Sequence, residues 1–270
     1  MYWYGGHTKA GKSALLLNVW IVLSALFSFY CLGNQPQAQN HAVVNVATGE
    51  GYFPYIDSKL MSGGWSQALV EQTFLQMGLD INVEILPWSR GLKWTQDAKF
   101  LGTFPYVYSA ERAEHFLFSV PINTVPIHMY VAANSAYKNI EQMQGKRLCI
   151  PHGYTIGQAE QVIITQYAMS INRAKDAIGC VGQVRRGWSD AGLTNGYVAP
   201  SKLTATDHGA PPIVIFGQQL SSEPLYFLIS KNYPDAQRWM DKFNQAFSQL
   251  EANGQKHKID QMFLQAITPP

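Results

Sequence analysis

Apolar and polar positions alternate along the chain in two registers, one with the period of a strand and one with the period of a helix. Val43 to Ala47 is an apolar run of strand length that ends at a Gly-rich turn, TGEGYFPY, and Ile81 to Leu86 alternates as a strand does. Between them Trp65, Leu69, Thr73 and Met77 recur about once per helical turn, with Phe74 beside them, and Gly78 marks the stop. Pro87 opens a short helix containing Trp88 and Trp94, and FLGTF follows as a strand. Farther on, RLCIP and AIGCVG are strand-like and flank a helical stretch from Gln158 to Met169, which predicts a βαβ unit. Tyr226 to Ile229 is another strand. Pro234 then starts a long helix with Trp239, Phe243, Phe247 and Leu250 on one face, stopped by Gly254. Strands alternating with helices predict an α/β protein built on open sheets. The chain has no internal repeat and no long charge run. Its Pro/Gly-rich breaks, Pro121 to Pro126 and Gly209 to Pro212, are candidate lobe boundaries.

The first forty residues follow neither register. His7, Lys9 and Lys12 precede an apolar run from Ala14 to Tyr30, and a short polar stretch from Gly33 to Asn40 follows, with small residues at Gly33, Ala38 and Ala42. This is the pattern of a cleaved signal peptide over 1–38, with cleavage expected after Ala38 and export of the rest. The alternative is a retained membrane anchor, since about 17 to 20 apolar residues just span a bilayer. Cys31 is preceded by Ser28, Phe29 and Tyr30 rather than by the small residues that lipid attachment needs, which assigns it to the leader.

Composition narrows the partners. Hydrophobic residues make up 47% of the chain and aromatic residues 13%, enough to bury a core in one large domain or two small ones. The formal charge is +2 with lysines and arginines scattered, so no basic stripe for nucleic acid is present. Cys149 and Cys180 lie beyond the leader, and an even count in an exported chain suggests a disulfide, with two buried free thiols as the alternative. No HExxH, GxSxG or Cys-His signature occurs, and His128 and His152 stand isolated, as polar core or cleft residues rather than metal ligands. No cofactor and no catalysis are expected.

Five motifs in order carry a family resemblance: GEGYFPY, PWSRGL, GTFPYVYSAERAEHFLFSVP, HGYT and SKNYPDAQRWMDKFNQAFSQLEANG. Together they resemble the family-3 solute-binding proteins of amino-acid ABC transporters, over nearly the whole chain past the leader. The resemblance implies a two-lobed periplasmic binding protein of type II with two crossing hinge strands, mapped to about Pro126–Val131 and Glu223–Ile229. Lobe 1 would comprise 39–127 and the return segment with C-terminal helices, 225–270; lobe 2 would comprise 128–224. A monomer in the periplasm would capture a small ligand in the interlobe cleft, close on it, and deliver it to a membrane ABC permease. Two alternatives share the scaffold: a sensor module, and an enzyme similar to cyclohexadienyl dehydratases that uses a cleft carboxylic acid as general acid.

The resemblance also implies site residues. Arg112, closing the turn Ser109-Ala110-Glu111-Arg112, would hold a ligand carboxylate through its planar fork of donors; the alternative is a surface arginine paired with Glu111 or Glu114. Thr155, in HGYT, would meet the same anion from a helix start in lobe 2, or simply cap that helix. Tyr52 would stack on the ligand, and Phe104, Tyr106, Trp88 and Tyr154 would complete an aromatic wall unless they are core. Three departures bear on the ligand. Pro105 and Val107 stand where relatives carry serines, and Asn195 stands where a lobe-2 aspartate would pair with an ammonium. Glu50 and Asp190 remain as further anionic partners.

Overall fold

The computed structural model describes residues 1–3, 5, 42–152, 154–198 and 211–267. The expected leader with Cys31 and its cleavage site, and the first part of the Gly209–Pro212 break, lie outside the described residues. Among the described residues no helix is long and apolar enough to cross a membrane.

The first half of the fold forms around β1 (Ala42–Thr48), which pairs in parallel with β2 (Leu79–Ile85), from Ala42 opposite Leu79 to Thr48 opposite Ile85, and with β3 (Gly102–Tyr106). Two helices make the crossovers. In α1 (Trp65–Gln76) the expected face of Trp65, Leu69 and Thr73 is buried, and Gly78, at φ +73°, ends it in the left-handed conformation that glycine tolerates. The second, α2 (Trp88–Gln96), follows Pro87. After β3, the short α3 (Ala110–His115) leads into β4 (Phe116–Phe118).

The second half is the βαβ unit of β6 (Arg147–Pro151), α4 (Gln158–Gln166) and β7 (Ser170–Ala174), followed by α5 (Ala177–Arg185) and β8 (Ala191–Asn195). It is joined to the first half by β5 (Asn123–Ala132) and β9 (Ile213–Ser230), which run antiparallel from Asn123 opposite Leu225 to Ala132 opposite Ile213. Past Leu225, β9 leaves β5 and pairs with β3 and β4. The strand order is β2-β1-β3-β9-β5-β8-β6-β7, with β4 beside β9. Each half has its own core: Phe74, Phe227, Phe243 and Phe247 in the first, Met129, Leu148, Ile150 and Ile164 in the second. Two cores on one curled mixed sheet, crossed by two strands, make the two-lobed type II binding-protein fold.

The chain closes with α6 (Ala236–Ala252), whose Phe243 ring stacks on Phe227 at 4.6 Å, and α7 (Gln255–Ile267). Gly254, at φ +78°, is the turn at which the long helix stops, as expected, before the last helix begins.

One expected strand is a helix. AIGCVG lies within α5, and the strand after α4 is Ser170–Ala174. The apolar run has no period to separate strand from helix, and Asp176 decides it by capping the helix, accepting the Gly179 N–H at 2.8 Å. The true strand is polar because it is the sheet's edge, next only to β6. Cys149 and Cys180 are bridged, as the even count suggested, but the bridge ties strand β6 to helix α5, not strand to strand. Both cysteines are buried.

Candidate functional site

Between the halves lies a cavity of about 530 Å³. Its first wall is built on the loop after β1. Thr48 donates its hydroxyl to the Phe104 carbonyl at 2.6 Å, tying the ends of β1 and β3 together, and the chain then turns at Gly49. A Cβ at Gly49 would overlap the Trp88 indole, so glycine lets that ring slide over the loop. The indole N–H donates to the Glu50 carbonyl at 3.2 Å, and Trp88 in turn accepts from the Tyr106 hydroxyl, at 3.1 Å to its carbonyl. Tyr52 and Tyr106 both meet Trp88 edge to face, with centroids 6.1 and 5.6 Å away. The result is a wall of three interlocked rings, all lining the cavity.

Arg112 stands beside that wall. Ser109 caps α3 by accepting the Arg112 N–H at 3.2 Å, which fixes where the side chain leaves the helix. The guanidinium lies 5.0 Å from the Tyr106 ring centre and donates one N–H to the Val107 carbonyl at 2.9 Å. Among the described residues no carboxylate lies within ion-pair distance, so pairing with Glu111 or Glu114 is not what holds it. Burial draws its pKa down, against the opposing pull of Tyr106 and Glu111. Burial also pushes the Tyr106 phenol up to about 12.

The opposite wall comes from the second half: His152, Tyr154 and Thr155 follow β6, and Leu225 of β9 also lines the cavity. Thr155 is not a helix cap, because the cap of α4 is Gly157. Glu160, in the first turn of α4, accepts the Gly157 N–H at 2.8 Å and the Tyr154 hydroxyl at 2.9 Å. Its carboxyl pKa is pushed up to about 6, first by burial and further by the charge of Glu223, against the lowering effect of those two hydrogen bonds. Burial and the nearby carboxylates also raise Tyr52 and Tyr154.

Six of the ten residues named from sequence thus line one cavity: Arg112, Thr155, Tyr52, Tyr106, Trp88 and Tyr154. Four do not. Phe104 is fully buried in the first core, 6.2 Å from Phe227. Glu50 is exposed and its carboxylate is occupied by the N–H and hydroxyl of Ser58, at 2.9 and 2.7 Å. Asn195 donates to the Phe53 carbonyl at 2.7 Å and accepts the Tyr197 N–H at 2.9 Å. Asp190 lies away from the cavity, in a two-pronged pair with Arg147 at 2.9 and 3.1 Å that holds its pKa down.

Sequence reasoning missed Ser89, next to Trp88, and Leu92, one helical turn on, in a motif from which only the tryptophan was taken as a site residue. It also missed Glu160 and Glu223, buried at 2% and 6% exposure. Their signal was available: a glutamate three residues after Gly157 at a helix start, and an acid at the head of the apolar run PLYFLI. Among the described residues no cluster of three His, Cys, Asp or Glu is placed to hold a metal ion.

The matching family model is "Bacterial extracellular solute-binding proteins, family 3", over residues 44–266. The chain belongs to this family. Solved structures agree on the fold. A probable amino-acid ABC transporter extracellular-binding protein from Bacillus subtilis matches at TM-score 0.65 and 21% identity, covering 83% of this chain and 98% of its own. An arginine third transport system periplasmic binding protein from Legionella pneumophila matches at TM-score 0.66 and 14% identity, covering 82% and 99%. A histidine kinase sensor domain with similarity to periplasmic binding proteins matches at 0.64 and 16%, covering 83% and 96%. No curated protein sequence matches this family member.

Proposed function

We propose that this family-3 protein captures a small carboxylate-bearing solute, an amino acid or a related compound, in its interlobe cavity, and passes it unchanged to an ABC permease. The observation that carries the reading is Arg112: a partly buried guanidinium on the cavity wall, with donors left over after its bond to Val107 and, among the described residues, no carboxylate within ion-pair distance to neutralise it. A planar fork in a desolvated site favours a carboxylate over water. Thr155 supplies a hydroxyl from the second lobe, and the three-ring wall offers an apolar surface to the ligand's body. Uptake by a permease is supported by the binding proteins with which the fold is shared.

The test is a thermal-shift screen of amino acids and small carboxylates, followed by calorimetry on the hits. Arg112→Ala is expected to cost at least about 2 kcal/mol of binding, roughly 30-fold, while leaving the melting temperature of the empty protein nearly unchanged. Equal affinity in wild type and variant would remove this site.

A further inference from the structure

Arg112 carries the only permanent charge among the described residues that line the cavity; no aspartate or glutamate is in that wall. The acids that could have served are committed elsewhere: Glu50 to Ser58, Asp190 to Arg147 and Glu160 to Gly157 and Tyr154, while Glu223 lies against Gly157. The charges of Glu160 and Glu223 reach Tyr52 and Tyr154, but neither carboxylate lines the cavity. Asn195 stands where the resemblance put an acid, and it spends its amide N–H on the Phe53 carbonyl and its oxygen on the Tyr197 N–H. An amine buried in this wall would lose its water without meeting a charged acceptor, and that loss costs free energy.

The remainder of the wall is apolar, and it is apolar at positions that decide specificity. Pro105 and Val107 stand where relatives carry serines, and Leu92 extends the Trp88 surface one turn along α2. Leu225 adds to it from the crossing strand β9. The Trp88 indole is pinned by its bond to the Glu50 carbonyl yet only half-buried, and Tyr52 beside it is half-buried too. Fixed, partly uncovered rings favour another ring, because aromatic pairs contribute beyond the area they bury.

We infer that the ligand is an aromatic carboxylate read at its two ends, the carboxylate by Arg112 and the ring by Trp88 and Tyr52, with no requirement for an α-amine. The substrate class then takes in arylalkanoates and their 2-oxo and 2-hydroxy relatives beside the aromatic amino acids. This inference rests on Arg112 taking the carboxylate, and the two are separable by experiment.

Calorimetry on the full chain would compare 3-phenylpropanoate, L-phenylalanine and propanoate, which share a carboxylate and differ in ring and amine. On wild type, 3-phenylpropanoate is expected to bind at least as tightly as L-phenylalanine, and about 10-fold or more tightly than propanoate, from burial of the ring. Trp88→Leu keeps an apolar side chain and is expected to weaken 3-phenylpropanoate about 5-fold while leaving propanoate unchanged. Should that variant melt early, Tyr52→Leu makes the same comparison. L-phenylalanine binding more tightly than 3-phenylpropanoate, or propanoate matching it, overturns the inference; if Arg112→Ala still abolishes binding, the carboxylate site stands. Affinities unchanged in Arg112→Ala, or a wild-type protein that takes none of the three compounds, overturn both.

Discussion

Glu160 shows how a single side chain couples the site to pH. In the folded protein its pKa is about 6 against an ordinary value of 4.5, because burial disfavours the charge more than Tyr154 and Gly157 favour it. Between those values the folded state holds a proton that the unfolded state has released, so stability falls as pH rises through the window, and the penalty is complete above about pH 6. Its size is on the order of 2 kcal/mol, from about 1.4 kcal/mol per pKa unit. Glu160→Gln keeps an acceptor for Gly157 and can donate to the Tyr154 oxygen. The variant is therefore expected to gain about 2 kcal/mol on wild type between pH 4.5 and above 6, read from paired denaturant titrations; a constant offset across the window would show that Glu160 does not titrate there. Single residues were legible when a motif fixed them, as with Arg112 behind its capping Ser109. They were not when the choice depended on which way a side chain points. Phe104 and Tyr106 are two apart on β3, where regular alternation would send both to one face, but the pairing with β9 shifts register between Thr103 and Tyr106; the first is in the core and the bond to the Trp88 carbonyl holds the second in the wall. Glu50 and Asp190 were taken by Ser58 and Arg147, partners that spacing along the chain does not reveal.

At the scale of elements, the periodic segments declared themselves: α1, α2 and the long α6 fall where their apolar spacing and their Gly or Pro boundaries put them. The exchange between α5 and β7 had a physical origin, since an edge strand can be polar and a buried helix apolar without a period to tell them apart. The strand β9 was seen only from Glu223, as the second crossing strand, because its first half, from Ile213, includes the exposed polar stretch Gly217-Gln218-Gln219. The bridge between β6 and α5 has its consequence at this level. It closes a span of 31 residues across a parallel strand and the helix packed on it. In the chain-entropy model a loop of that size is worth about 3–4 kcal/mol, through restriction of the unfolded state. Replacing Cys149 and Cys180 together by alanine is expected to cost at least that much, with the lost sulfur packing added, and to leave binding at Arg112 intact where the protein is still folded. Equal midpoints for oxidised and reduced protein in urea would show that the bridge contributes nothing.

The arrangement of the whole molecule is the part that periodicity could not supply, because both halves read as the same α/β alternation and the chain crosses between them twice. The order of the motifs supplied it, and the pairing of β9 first with β5 and then with β3 and β4 gives it physical form. Two strands are a thin connection. Besides them, the halves touch through Asn195 on the Phe53 carbonyl and through the Tyr197 ring, 6.3 Å from Tyr55 and 6.1 Å from Trp65. A ligand can move such a system only by as much as it prefers one arrangement over another. Driving the halves from mostly open to mostly closed takes a preference of about 10⁴, or roughly 5.5 kcal/mol. An anion held by Arg112 alone touches one half and has no such preference. A ligand that also reaches Thr155 on the second half gains contacts only when the walls approach. X-ray scattering is therefore expected to show a smaller radius of gyration at saturation with a tight-binding amino acid, and no change at saturating acetate, which offers a carboxylate and nothing more. Compaction by acetate would place the whole closing force at Arg112, and an unchanged curve with the amino acid would mean that binding proceeds without closure.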